Sequence, residues 1–192
     1  MRTAAEPPRL TLGRGALVEI LSRYAPLAEG SASLVETQKL MYFLQAAGEP
    51  LNLRYVAHTY GPYADNLRPV LHAVEGHYLT GFGDGSAKVM EAEPLSVLPG
   101  ARAAAATLLE NHPDTMARID RVMGLIDGFE SAYSLELLAT THWVATHQCQ
   151  DGSTDCVVRE VQAWSPRKGR MFGQAHITIA HQALRERGWL TG

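Results

Sequence analysis

The chain has 192 residues and a formal net charge of -3, with 46% apolar and 19% charged residues. That length suits one domain able to bury a real core, and the charge argues against a general nucleic-acid binder while leaving room for a local patch. Two cysteines, Cys149 and Cys156, are too few for a disulfide framework. No secretory leader and no apolar run of membrane-spanning length occurs, which points to the cytoplasm.

In chain order, Met1 to Pro8 reads as a mobile tail, and residues 9–192 read as one domain. A first helix is predicted from about Gly13 to Tyr24, with Leu17, Ile20, Leu21 and Tyr24 on one face and Pro26 as its stop. Ser33 and Glu36 have capping-box spacing for a second helix. Its inward stripe is Leu40, Phe43, Leu44 and Ala47, with Glu36, Gln38 and Lys39 predicted to lie off that stripe. Leu51 to Val56 alternates like a short extended segment. Tyr60-Gly61-Pro62-Tyr63 then reads as a turn leading into a third helix, whose buried face is Leu67, Val70, Leu71, Val74 and Tyr78.

Glycines at 76, 81, 83 and 85 break the pattern, and Lys88 to Leu98 reads as a strand pair with a wing-like shape. Helices are predicted over about 99–111 and 113–128, each opened by a proline. A third, from Ser134 to about His147, is apolar on most sides and so belongs at the centre of the core. Asp155 is placed to cap a short helix ending near Trp164, Ser165 to Gly173 reads as a basic turn, and the last helix spans about Gln174 to Arg187. The sum is a mainly α (α+β) fold, a compact multi-helix domain with one small antiparallel β-hairpin.

Motifs for chemistry are sparse. His142, His147, Cys149 and Cys156 lack metal-site spacing, and His142 shares a face with Leu135, Leu138 and Ala139, as a core histidine would. Gly81-Phe82-Gly83-Asp84-Gly85 follows a helix and has no P-loop lysine. No nucleophile elbow is present, so no enzyme activity, metal or cofactor is expected. Charge is unevenly spread: from Glu75 to Glu136 acidic residues outnumber basic ones ten to four, while Arg167, Lys168 and Arg170 crowd one turn.

Three stretches, TQKLMYFLQAAGEPLNLRYVAHTYGPYADNL, EGHYLTGFGDG and ELLATTHWV, resemble the C-terminal domain of DarG antitoxins from DarT/DarG toxin–antitoxin pairs. The Gln38-Lys39 and Tyr60-Gly61-Pro62 signatures are also similar to SocA-like (Panacea) antitoxin domains. The resemblance implies an antitoxin domain that binds and inhibits a DarT-type DNA ADP-ribosyltransferase by occupying its single-stranded DNA surface. It also implies that the macrodomain of full-length DarG, which removes ADP-ribose from DNA, lies outside this chain. Toxin-contact candidates on the matching positions and beside them are Lys39, Gln45, Tyr60, Tyr63, Asn66, His72, Glu75, His77 and Tyr78. The alternative is a DNA-binding module that represses its own toxin–antitoxin operon, with the strand pair as a wing and the Arg167–Arg170 turn on the DNA backbone.

Overall fold

The computed structural model describes residues 6–191. Helix α1 (Leu12–Tyr24) starts at Thr11, whose hydroxyl accepts from the Arg14 N–H, and Leu17, Ile20, Leu21 and Tyr24 are buried as their spacing predicts. Helix α2 (Leu34–Ala46) carries the predicted capping box. The Glu36 N–H donates to the Ser33 hydroxyl at 3.2 Å, and the Ser33 N–H donates to the Glu36 carboxylate at 2.7 Å. The other Glu36 oxygen accepts from the Tyr24 hydroxyl and ties α1 to α2. Burial, and then that carboxylate, push the Tyr24 pKa well up.

Past the cap, α2 departs from expectation. Gln38 and Lys39, read as lying off the inward stripe, are both 0% exposed, because a hairpin covers that side. Strand β1 (Tyr55–His58) pairs antiparallel with β2 (Gly61–Ala64), so Tyr60-Gly61-Pro62-Tyr63 is a hairpin tip and its second strand rather than a turn into a helix. The Ala64 N–H donates to Gln38 Oε1 at 3.1 Å, and Gln38 Nε2 donates back to the Ala64 carbonyl at 2.9 Å. Lys39 Nζ donates to the Pro62 carbonyl at 2.6 Å. Strand pairing alternates, so Pro62, like Ala64, points its backbone away from β1, and its missing N–H costs the ladder nothing. Gly61, at φ +85°, lies so close to the helix carrying Thr140 that an added Cβ would sit 2.7 Å from the Thr140 hydroxyl.

Helix α3 (Arg68–Val74) accommodates Pro69 in its first turn. After it, β3 (Leu79–Thr80) pairs with β4 (Ser96–Val97), so the strand pair expected within residues 88–98 does not form. Glu75 is the reason. Its carboxylate accepts from the Gly81 and Phe82 N–H groups at 3.2 and 3.0 Å and folds the glycine-rich turn back on itself. Gly81, at φ +111°, then passes the Pro94 carbonyl so closely that a Cβ would lie 2.2 Å from it.

The rest is helical: α4 (Ala101–Leu109), α5 (Pro113–Ile126), α6 (Ala132–His147), α7 (Thr154–Ala163), α8 (Pro166–Met171) and α9 (Gln174–Glu186). Helix α6 is the centre, packed by α2, α7, α9 and β2, as its all-round apolarity predicts, while α1 packs on α4 and α5. Ser131, Ser153 and Ser165 cap α6, α7 and α8. Asp155 is therefore not the α7 cap, and the basic stretch read as a turn is mostly α8. Cys149 and Cys156 form a disulfide across the α6–α7 loop, with Cα atoms 5.9 Å apart. Of the tail expected over Met1–Pro8, residues 1–5 lie outside the described residues, and the Pro8 carbonyl accepts from the Tyr78 hydroxyl at 2.8 Å. Among the described residues the architecture is mainly α with two small antiparallel strand pairs, and no helix is long and apolar enough to cross a membrane.

Replacing Gln38 with Leu keeps the volume but strands the Ala64 N–H and carbonyl in the interior. Gln38→Leu is expected to cost about 3 kcal/mol of stability in urea denaturation, with an unchanged m-value.

Candidate functional site

The hairpin's outer face and the loop between β3 and β4 flank a groove of about 540 Å³, lined by His58, Tyr60, Arg68 and residues 86–91. The His58 ring stacks on Tyr63 with centroids 4.9 Å apart. Arg68 sets the distance between the two walls. Its Nη1 donates to the Tyr63 hydroxyl at 3.1 Å, and its Nη2 donates to the Gly85 and Ala87 carbonyls at 2.7 and 2.8 Å. The same guanidinium lies over the Phe82 ring. Lys88 stands exposed on the rim, and two apolar side chains, Val56 and Met90, are 56% and 66% exposed nearby.

Behind the hairpin tip lies a buried charge cluster. Arg167 spans both Glu136 oxygens, at 2.7 and 3.3 Å, and lays its guanidinium over the Tyr60 ring at 4.8 Å. Lys168 Nζ also bonds Glu136, between the rings of Trp164 and Phe172. Trp164 Nε1 donates to the His58 carbonyl at 2.9 Å. The tip is thus held by Lys39, Gln38, Trp164 and Arg167 together, which makes it a rigid platform for its exposed rings. Burial lowers the Lys39 pKa to about 7, with Glu136 opposing the shift and Lys168 adding to it. Lys168 is likewise lowered by burial, against the pull of Glu136.

The residues singled out from sequence separate into two groups. Lys39 is sealed beneath β2. Gln45 spends its amide on Leu53, donating to the carbonyl and accepting from the N–H at 2.9 and 2.7 Å. Asn66 accepts from the Arg54 N–H and donates to the Asn52 carbonyl. Glu75 holds the glycine turn, and Tyr78 reaches Pro8. These five side chains bind the fold to itself. Tyr60 lines the groove and Tyr63 is buried beneath the His58 ring, whereas His72 is exposed and His77 half-buried elsewhere on or just after α3. His142 is a core residue, its Nδ1 2.7 Å from the Tyr42 hydroxyl, and burial lowers its pKa to about 4.

His58, Arg68, Lys88 and Met90 were not anticipated. Only the hairpin brings His58 onto Tyr63, and only the folded-back loop brings residues 86–91 to Arg68. Arg167 had a signal, the basic run, but its partner Glu136 lies 31 positions away.

No family model matches the chain. It is 40% identical over 185 residues to a DNA ADP-ribosyl glycohydrolase of Thermus aquaticus, a match covering 95% of this chain and 49% of that protein. It is 34% identical over 184 residues to proteins of the same name from Mycobacterium tuberculosis and Mycobacterium bovis, covering 90% of this chain and 52% of each. The chain therefore spans about half the length of the curated relatives it matches. Their name is that of an enzyme, and it corrects three readings of the sequence: the resemblance to a DarG or SocA-like antitoxin domain, the inhibitory or operon-repressing function, and the expectation of no enzymatic role. Those readings rested on short motifs, and the structure turns much of their residue set toward the interior.

The buried cluster makes stability depend on pH. An unfolded lysine keeps its ordinary pKa of 10.5, above the folded Lys39 value of about 7, so between these values the unfolded chain holds more protons. Stability is then expected to rise with pH from about 7 towards about 10, by up to about 1.4 kcal/mol per unit. Urea titrations across that window check this, and the Lys39 part of the slope disappears in Lys39→Met.

Proposed function

We propose that this chain works in the removal of ADP-ribose from DNA, as the part of a DNA ADP-ribosyl glycohydrolase that holds the modified strand in the groove beside Tyr60. The observation that carries the reading is the 40% identity, along 95% of this chain, to a protein of that name. The groove's chemistry supports it. Base faces stack on exposed rings without regard to sequence, and a cation on the rim suits a phosphate. His58 supplies the ring, Tyr63 stiffens it from behind, Lys88 supplies the charge, and Met90 with Val56 supplies an apolar border. The role assigned to these side chains is substrate holding. Bond cleavage is assigned to none of them.

The test uses a single-stranded oligonucleotide carrying ADP-ribose, with this chain alone and with the polypeptide extended to its relatives' length. Tyr60→Ala and His58→Ala are each expected to raise KM or Kd about tenfold, since a stacked base is worth about 1–3 kcal/mol, with little change in kcat. Unaltered binding in both variants, or no release of ADP-ribose by either polypeptide, overturns the reading.

Contact with a DarT-type DNA ADP-ribosyltransferase is a separate proposal, concerning association alone. The exposed Val56 and Met90 beside aromatic rings support it, because interfaces concentrate such residues. Co-purification of the two proteins is expected, with Val56→Asp abolishing it while the fold survives. Retention of the complex by Val56→Asp counts against this surface.

A further inference from the structure

The two outer edges of the hairpin are treated differently. That of β2 is closed by Gln38 and Lys39, whereas that of β1 is open. Ala64 and Pro62 turn their backbone groups toward α2, so the residues opposite them in the ladder, Tyr55 and Ala57, turn theirs away from β2. Two N–H groups and two carbonyls therefore line the free edge. Among the described residues, the bonds that reach β1 from outside the ladder run from the Tyr55 hydroxyl to the Gln38 carbonyl and from Trp164 to the His58 carbonyl, and none meets those four groups.

Proteins commonly protect an open edge with lysine, proline or a covering loop. Tyr55-Val56-Ala57-His58 contains neither residue, and its last three positions are exposed. It presents a β-branched side chain instead, Val56, 56% exposed. Beside the edge runs an open slot of about 380 Å³, from Ala57 to a far wall made by Gln148 and by Glu160, Ala163 and Trp164 of α7 and its C-terminus. It shares no lining residue with the groove assigned to DNA.

We propose that β1 takes up an extended peptide as a third strand, with a basic side chain of that peptide directed into the slot. The four edge groups then gain backbone partners, the mode by which sheet edges recognise peptides. Side chains alternate along a strand, so the peptide residue opposite Val56 packs on it, and the residues on either side point into the slot. Of the five residues lining the slot, Glu160 alone is charged. Its ion pair with the exposed Arg159, at 3.0 Å, is a surface contact between chain neighbours that uses one carboxylate oxygen and leaves the other for a lysine or arginine of the peptide. With α7 bounding it, the slot suits one extended chain better than the edge of a second folded domain. The proposal is independent of the reading of the DNA groove, which uses none of the edge groups.

The probe is a blocked pentapeptide, Thr-Lys-Val-Lys-Thr, titrated into the intact chain and followed by NMR of the backbone amides. Saturable binding is expected, with the Tyr55 and Ala57 N–H signals moving downfield and exchanging more slowly with solvent. N-methylation of both lysine amides of the peptide abolishes it. Ala57→Pro removes one edge donor and none from the β1–β2 ladder, and weakens binding about tenfold or more. Glu160→Gln, on the surface of α7, weakens it about threefold. No saturable binding at millimolar peptide, binding of the N-methylated peptide, or binding that survives Ala57→Pro overturns the proposal, and indifference to Glu160→Gln overturns the choice of a basic side chain. Dimerisation of the chain without peptide, abolished by Ala57→Pro, gives the edge to a second copy and overturns it as well.

Discussion

The outer edge of strand β2 finds its hydrogen-bonding partners in side chains of α2 rather than in another strand. A two-stranded hairpin is marginal by itself. Here Gln38 closes a two-bond ring with the Ala64 backbone and Lys39 caps the Pro62 carbonyl, so α2 acts as the missing third strand. Everything at the groove follows from that substitution. The hairpin sits flat on α2 and α6, its inner face is dry, and its outer face is free to present His58 and Tyr60.

The same arrangement explains a costly feature. Lys39, Lys168 and Arg167 gather around one carboxylate, Glu136, although burying ammonium groups is unfavourable. The cluster joins four elements that are far apart in the chain: α2, β2, α6 and α8. Cations that fix backbone carbonyls and cover rings give direction as well as attraction, and a well-packed apolar core would not by itself set the hairpin's position to one place.

What could be read from the sequence was local. The Ser33–Glu36 box, the Leu17–Tyr24 stripe, the all-apolar α6 and the core placement of His142 each depend on residues within a few positions of one another, and each is found. Gln38 and Lys39 were misplaced because their partners are backbone groups 26 and 23 positions away, and no periodicity records such a bond. Pro62 was read as presetting the start of a helix, yet it lies in β2 at a pairing position that needs no N–H. The cysteine count excluded a disulfide framework and was silent on a single link, which is what Cys149 and Cys156 form. At the groove, Tyr60 was among the residues singled out from sequence, whereas Arg68 and the loop opposite it were not, since Glu75 and not local propensity folds that loop back.

Arg68 touches the hairpin with one nitrogen and the facing loop with another. The aperture between them is therefore a molecular length, the span of a single guanidinium, and not the outcome of many soft contacts. A relative that keeps this scaffold but carries a shorter or unforked side chain there would have a gap of different size, so one codon sets the calibre of the opening.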